Sequence, residues 1–182
     1  MGKITLITGG SRSGKSTFAE KILEKEDDVL YIATAVVTDS EMEKRIEKHK
    51  LRRNQKWQTY EGFTKLDKAI EKSSSKYIML ECIGTMVTNI IFEKNYDFDN
   101  ITSDDIEKLE KDIIKEVDNI ISSVKHSDKH ILIITNEVGY SVVSEYKLSR
   151  VFVDILGRVN QFIASFSDEV YMVACGLPIK LK

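Results

Sequence analysis

Five short runs of the chain are almost wholly apolar: KITLIT (3–8), VLYIAT (29–34), YIMLE (77–81), HILIIT (130–135) and EVYMV (169–173). Continuous rather than alternating apolarity marks strands covered on both faces, so each run reads as a buried strand. Between them, apolar residues recur at helical spacing over 15–25, 39–53, 63–73, 84–93, 104–124 and 145–166. Strands alternating with helices through short connections predict an α/β fold, with a mostly parallel central sheet and helices on both faces. The closing GLPIKLK contains the only proline, Pro178, and predicts a short antiparallel edge strand. SSSK (73–76) and EKNYDFDNITSDD (93–105) read as loops. No repeat or low-complexity tract interrupts the pattern, and residues 1–182 read as one domain.

Composition narrows the class. With 182 residues, 42% hydrophobic and 31% charged, the chain is long enough for a sizeable core. A net charge of −2 gives no basic excess, so nucleic acid is not expected as a partner. No run approaches the roughly 20 apolar residues of a membrane span. MGKITLITGG reaches glycine too early for a signal peptide. The two cysteines, Cys82 and Cys175, both sit in apolar surroundings and read as buried thiols of a reducing compartment. A cytoplasmic protein is expected.

The first strand runs directly into GGSRSGKST. Gly9, Gly14, Lys15 and Ser16 fit G-x-x-x-x-G-K-[ST] between a strand and a helix, the context of a phosphate-binding loop. Glycines let successive N–H groups turn toward phosphate oxygens, and the following helix adds the positive end of its dipole. Lys15 would reach the outer phosphates and the Ser16 hydroxyl would ligate Mg²⁺. Such loops work with an acid at the end of a neighbouring strand. Glu81 ends YIMLE with four apolar residues before it, and Glu137 follows ILIIT. Either fits the metal-site role, and Glu81 fits it better. No guanine-reading N-K-x-D motif is present.

RIEKHKLRRNQKW (45–57) packs Arg45, Lys48, His49, Lys50, Arg52 and Arg53 closely together. As a helix over 39–53 it would carry early acids and late bases, as the dipole prefers. Arg45, His49, Arg52 and Arg53 would share a face, with Met42 and Ile46 beside His49. Two readings stand at this level. One is a solvated amphipathic helix. The other is a nucleophile, because neighbouring guanidinium groups disfavour the imidazolium and a neutral imidazole can attack an α-phosphorus. His126 and His130 in KHSDKH read as exposed loop residues.

Taken together, TGGSRSGKS, YIATA, EMEKRIEKHKLRR, W-x-T-x-E (57–61), LECIGTMVTN (80–89), TNEVG (135–139), DILGRVNQ (154–161) and GLPIKLK resemble the bifunctional adenosylcobinamide kinase / adenosylcobinamide-phosphate guanylyltransferase family of cobalamin biosynthesis. The resemblance runs nearly end to end. It implies a RecA-like P-loop NTPase fold and a homotrimer. It implies two reactions: phosphorylation of adenosylcobinamide by ATP or GTP, then transfer of GMP from GTP to that phosphate through a guanylyl-histidine, which falls on His49. By matching positions, it also implies nucleotide contacts from Gly9, Gly10, Ser11, Arg12, Ser13, Gly14, Lys15 and Ser16, from Ala33, Thr34 and Ala35, from Lys50, Leu51, Arg52 and Arg53, and from Glu61 and Glu81. Two positions depart from the usual family pattern: Ser144 stands where relatives often have proline, and Val153 where many have arginine. A P-loop kinase for another alcohol, with His49 only binding phosphate, and a nucleotide-gated switch without transfer chemistry are the competing functions.

Overall fold

The computed structural model describes residues 1–36, 47, 53–140 and 142–182. Seven strands form one sheet: β1 (Lys3–Thr8), β2 (Val29–Ala33), β3 (Gln58–Glu61), β4 (Tyr77–Glu81), β5 (His130–Ile134), β6 (Glu169–Ala174) and β7 (Leu177–Lys180). Their order is β3-β2-β4-β5-β1-β6-β7. Every pairing is parallel except β6 with β7, so the expected antiparallel edge strand is present. The described helices are α1 (Lys15–Ile22), α2 (Leu66–Lys72), α3 (Ile83–Glu93), α4 (Ser103–Lys125) and α5 (Lys147–Phe166).

Period-two alternation splits each apolar run between two layers. Ile4, Leu6, Leu30, Ile32, Ile78, Leu80, Ile131 and Ile133 enter a large core under α2, α3, α4 and α5. Ile7, Val29, Tyr31, Met79, Leu132 and Ile134 face the other way and pack with Ala19, Leu23 and Trp57. Both faces are covered, but among the described helices only α1 lies over the second. The long α4 buries Leu109, Ile113, Val117, Ile120, Ile121 and Val124 at helical spacing, and starts in a reciprocal Thr102–Asp105 capping box.

Three expectations change, and a fourth falls outside the described residues. β3 was not foreseen: Gln-Thr-Tyr-Glu is an exposed edge strand with no apolar run to announce it. Cys175 is exposed, in the turn between β6 and β7, while the Cys82 side chain caps α3 by accepting from the Thr85 N–H. His130 is not a loop residue. It opens β5 half-buried, with Nε2 3.0 Å from Thr5 Oγ1. The helix expected over 39–53, with His49, Lys50, Leu51 and Arg52, lies outside the described residues apart from Glu47 and Arg53.

Candidate active site

The loop between β1 and α1 needs its glycines. Gly9 has φ +149° and Gly14 φ +101°, and a Cβ on Gly9 would stand 2.3 Å from the Val173 carbonyl oxygen. The loop is moored on three sides. Glu137 N–H donates to Gly9 O at 3.0 Å, Gly176 N–H to Ser13 O at 2.8 Å, and Phe18 N–H to Gly14 O at 2.9 Å. α1 has no side-chain cap and no acid in its first turn, which leaves its leading N–H groups for an anion. Ser13 Oγ is buried with no hydrogen-bond partner among the described residues. Ser11 and Arg12 stand exposed at the tip. Lys15 is 7% exposed and donates to Gly9 O at 3.0 Å and Gly10 O at 2.6 Å. Burial pushes its pKa down, and nearby Cys82 and Glu81 push it up.

Across β5 from this loop, Glu81 ends β4. The parity of its strand points it to the α1 face with Met79, and there it meets Ser16. Ser16 Oγ donates to Glu81 Oε1, and Tyr31 from β2 donates to Oε2 at 2.8 Å. Of the two acids expected to compete for the metal-site role, it is Glu81 that meets Ser16. Glu137 instead folds back to accept from Gly139 N–H at 2.9 Å. Ala33, which sits opposite Glu81 in the β2–β4 register, is small enough to leave room for the diagonal Tyr31 ring.

Thr34, expected among the nucleotide contacts, is 1% exposed and fully engaged inside the fold. Its N–H donates to Glu81 O, its carbonyl accepts from Asn89 Nδ2, and its hydroxyl accepts from Cys82 N–H and donates to Cys82 O. It holds the β4–α3 turn that carries Glu81. Burial pushes the Cys82 thiol up, with the Thr85 contacts opposing.

The W-x-T-x-E spacing also acquires a meaning. Trp57 is buried and donates Nε1–H to Glu26 O at 2.8 Å, which anchors the start of β3. Thr59 accepts from Arg53 at 2.8 Å, and Glu61 pairs in register with Ala33. The Arg53 guanidinium lies 3.9 Å from the centre of the Tyr31 ring. Arg53, Gln55, Thr59 and Glu61 line a polar cleft of about 510 Å³ beside the β2–β3 edge.

Two residues escaped sequence reasoning. Tyr31 was hidden inside an apolar run. Asn160, in DILGRVNQ, is buried in α5. It accepts from Thr135 Oγ1 at 2.7 Å and donates to Asn136 O at 3.0 Å, which fixes the loop after β5. A lone asparagine in the apolar stripe of a helix was the available signal. Ser144 lies in the loop before α5, where its carbonyl accepts from Arg150 at 2.8 Å. Nothing in the structure explains Val153.

Comparison with known proteins decides the family. The model of the family described as "CobU: Cobinamide kinase / cobinamide phosphate guanyltransferase" matches residues 5–181. The chain belongs to this family. It is 40% identical to the bifunctional adenosylcobalamin biosynthesis protein CobU of Escherichia coli K12 and 41% identical to that of Salmonella typhimurium LT2. In both cases 97% of this chain and 98% of the relative are covered. The corresponding CobP protein of Pseudomonas aeruginosa PAO1 is 32% identical, over 97% of this chain and 96% of that protein. Among solved structures, an ATPase from the type III secretion system of pathogenic bacteria superposes with a TM-score of 0.60 at 10% identity. It covers 99% of this chain and 57% of that one. The cobinamide kinase / guanyltransferase chain therefore has a RecA-like P-loop NTPase fold, with one strand, β5, between the phosphate-loop strand and the strand that ends in Glu81.

Proposed function

We propose that the chain phosphorylates the aminopropanol hydroxyl of adenosylcobinamide with ATP or GTP and then guanylylates that phosphate with GTP, releasing pyrophosphate. The observation that carries this reading is the meeting of Ser16 and Glu81 at the mouth of the loop that holds Lys15. In the first reaction the hydroxyl oxygen attacks the γ-phosphorus and the nucleoside diphosphate leaves. The N–H groups of the Gly9–Ser16 loop and α1 hold the phosphates, and Lys15 swings from the Gly9 and Gly10 carbonyls to the outer phosphate oxygens. The Ser16 hydroxyl and the Glu81 carboxylate are hard oxygen donors held against each other. They fit Mg²⁺, which takes one or two protein oxygens beside phosphate and water. When bound there, Mg²⁺ would offset charge on the phosphate oxygens.

In the second reaction the neutral imidazole of His49 attacks the α-phosphorus of GTP. An N–P bond forms and the P–O bond to pyrophosphate breaks. The phosphate oxygen of adenosylcobinamide phosphate then attacks the same phosphorus and frees His49. Lys50, Arg52 and Arg53 hold the departing pyrophosphate. Arg53 already faces the cleft that Glu61 lines, and Ala33 and Ala35 border the same strand ends. We assign the chain to the cytoplasm as a homotrimer. No described helix is long and apolar enough to cross a membrane, and Leu177, Ile179 and Leu181 present exposed apolar side chains on and just beyond the edge strand β7.

Incubation with adenosylcobinamide, supplying ATP and GTP separately, should give the phosphate with either nucleotide and the GDP derivative with GTP alone. Protein denatured after exposure to α-labelled GTP should keep an acid-labile label, and His49→Ala should lose that label and the second product while retaining the first. A folded His49→Ala protein that still takes the label would remove His49 as nucleophile. Phosphorylation of adenosylcobinamide with no label at any stage would reduce the chain to a kinase.

A further inference from the structure

Tyr31 belongs neither to the phosphate-loop motif nor to the histidine segment, yet it touches Glu81, which Ser16 of the first meets, and Arg53 of the second. Its hydroxyl donates to one oxygen of Glu81 while Ser16 holds the other. A carboxylate gripped at both oxygens by different hydroxyls keeps one orientation. The ring is 7% exposed and packed with Met79 and Trp57, so it cannot drift. Its open face carries the Arg53 guanidinium at 3.9 Å, and Arg53 is itself held by Thr59, the register partner of Tyr31 on β3. A cation over the ring draws electron density from the phenol and strengthens its O–H as a donor. Arg53 thus has a physical route to Glu81 through the Tyr31 ring and hydroxyl.

We propose that Tyr31 is a positioning residue that couples the two halves of the active site: its hydroxyl fixes the Glu81 carboxylate beside Ser16 for phosphoryl transfer, and its ring seats Arg53, four positions beyond His49 in sequence, for guanylyl transfer. The proposal rests on the two-reaction reading and on Glu81 as the metal-site acid. Arg53 then influences the Mg²⁺ requirement of the phosphate loop only by way of the Tyr31 hydroxyl.

The test is a mutant cycle read by Mg²⁺-dependent binding of a fluorescent ATP analogue, which occupies the phosphate loop without entering the GTP-specific second reaction, with kinase kcat measured in parallel. Tyr31→Phe keeps the ring and removes the hydroxyl. It should raise the Mg²⁺ midpoint by about fivefold, while kcat at saturating Mg²⁺ stays within about twofold of wild type. Arg53→Met should raise the midpoint by about twofold alone and add nothing in the Tyr31→Phe background. An unmoved midpoint in folded Tyr31→Phe overturns the proposal, as does an equal Arg53→Met effect in both backgrounds. Glu81→Gln separates the layers of the argument. If it shifts the midpoint while Tyr31→Phe does not, the coupling alone fails. If Glu81→Gln shifts nothing, the metal assignment fails and the coupling with it.

Discussion

Lys15 donates hydrogen bonds to two carbonyls of its own loop, Gly9 O and Gly10 O, so its ammonium is already poised at the mouth when phosphates arrive. Lys15→Met keeps the buried stem and removes the charge. Phosphoryl transfer should fall by roughly 10²–10³-fold, as expected when one preorganised charge contact to a transition state is lost. Circular dichroism should stay at wild-type level, and single-turnover kinase assays check the rate. A folded variant with wild-type phosphorylation would put the nucleotide elsewhere. At this scale the phosphate loop and Glu81 were legible because their spacing to the strand ends is itself the signal. Tyr31 and Asn160 were not, since a polar group inside an apolar run declares its partner only when the fold brings the partner up. Thr34 was legible as part of the site but not in its role, because a hydroxyl's direction is set by the turn it meets.

The turn after β4 shows how one element holds another. Cys82 N–H has the Thr34 hydroxyl as acceptor at 2.9 Å, and the same hydroxyl reaches Cys82 O at 2.8 Å. Thr34→Val keeps the shape and leaves both backbone groups without that partner. A loss of about 1–3 kcal/mol is expected, measured as a lower urea midpoint at unchanged m-value. Because the turn carries Glu81, Mg²⁺-dependent phosphorylation should weaken more than stability alone explains. Equal activity per folded molecule would make Thr34 a purely structural residue. Most strands were legible as elements because burial on both faces demands continuous apolarity. β3 was not, since an edge strand held by Trp57 at its start and exposed along its length needs no such run. The β7 edge was legible from GLPIKLK because proline tolerates an edge and not a centre.

Across the whole molecule, the end of the sheet opposite the site is tied by charge, and that makes stability depend on pH. Glu169 on β6 accepts from Lys3 on β1 at 2.8 Å and from Lys180 on β7 at 2.9 Å, so one carboxylate clamps three neighbouring strands. Those two contacts pull its pKa down from 4.5 to about 2. His130 on β5 is pushed below its ordinary 6.5, first by burial and then by Lys3, with Glu169 and Asp168 opposing and the Tyr77 ring beside it. Both groups bind protons more readily unfolded than folded, so both remove stability as pH falls. For His130 the loss begins as pH drops through about 6.5, where the unfolded imidazole charges. For Glu169 it is fully retained above about 4.5 and disappears between there and about 2. Urea midpoints taken from pH 8 to pH 3 should therefore decline in two stages. Glu169→Gln should flatten the lower stage and, by removing a carboxylate that favours the His130 imidazolium, deepen the upper one. His130→Gln should flatten the upper stage, provided its amide keeps the Thr5 contact at 3.0 Å. If wild type and Glu169→Gln trace the same decline below pH 4.5, solvent has screened the clamp to nothing, as it does for many exposed pairs, and this end of the sheet is held by its strand ladder alone.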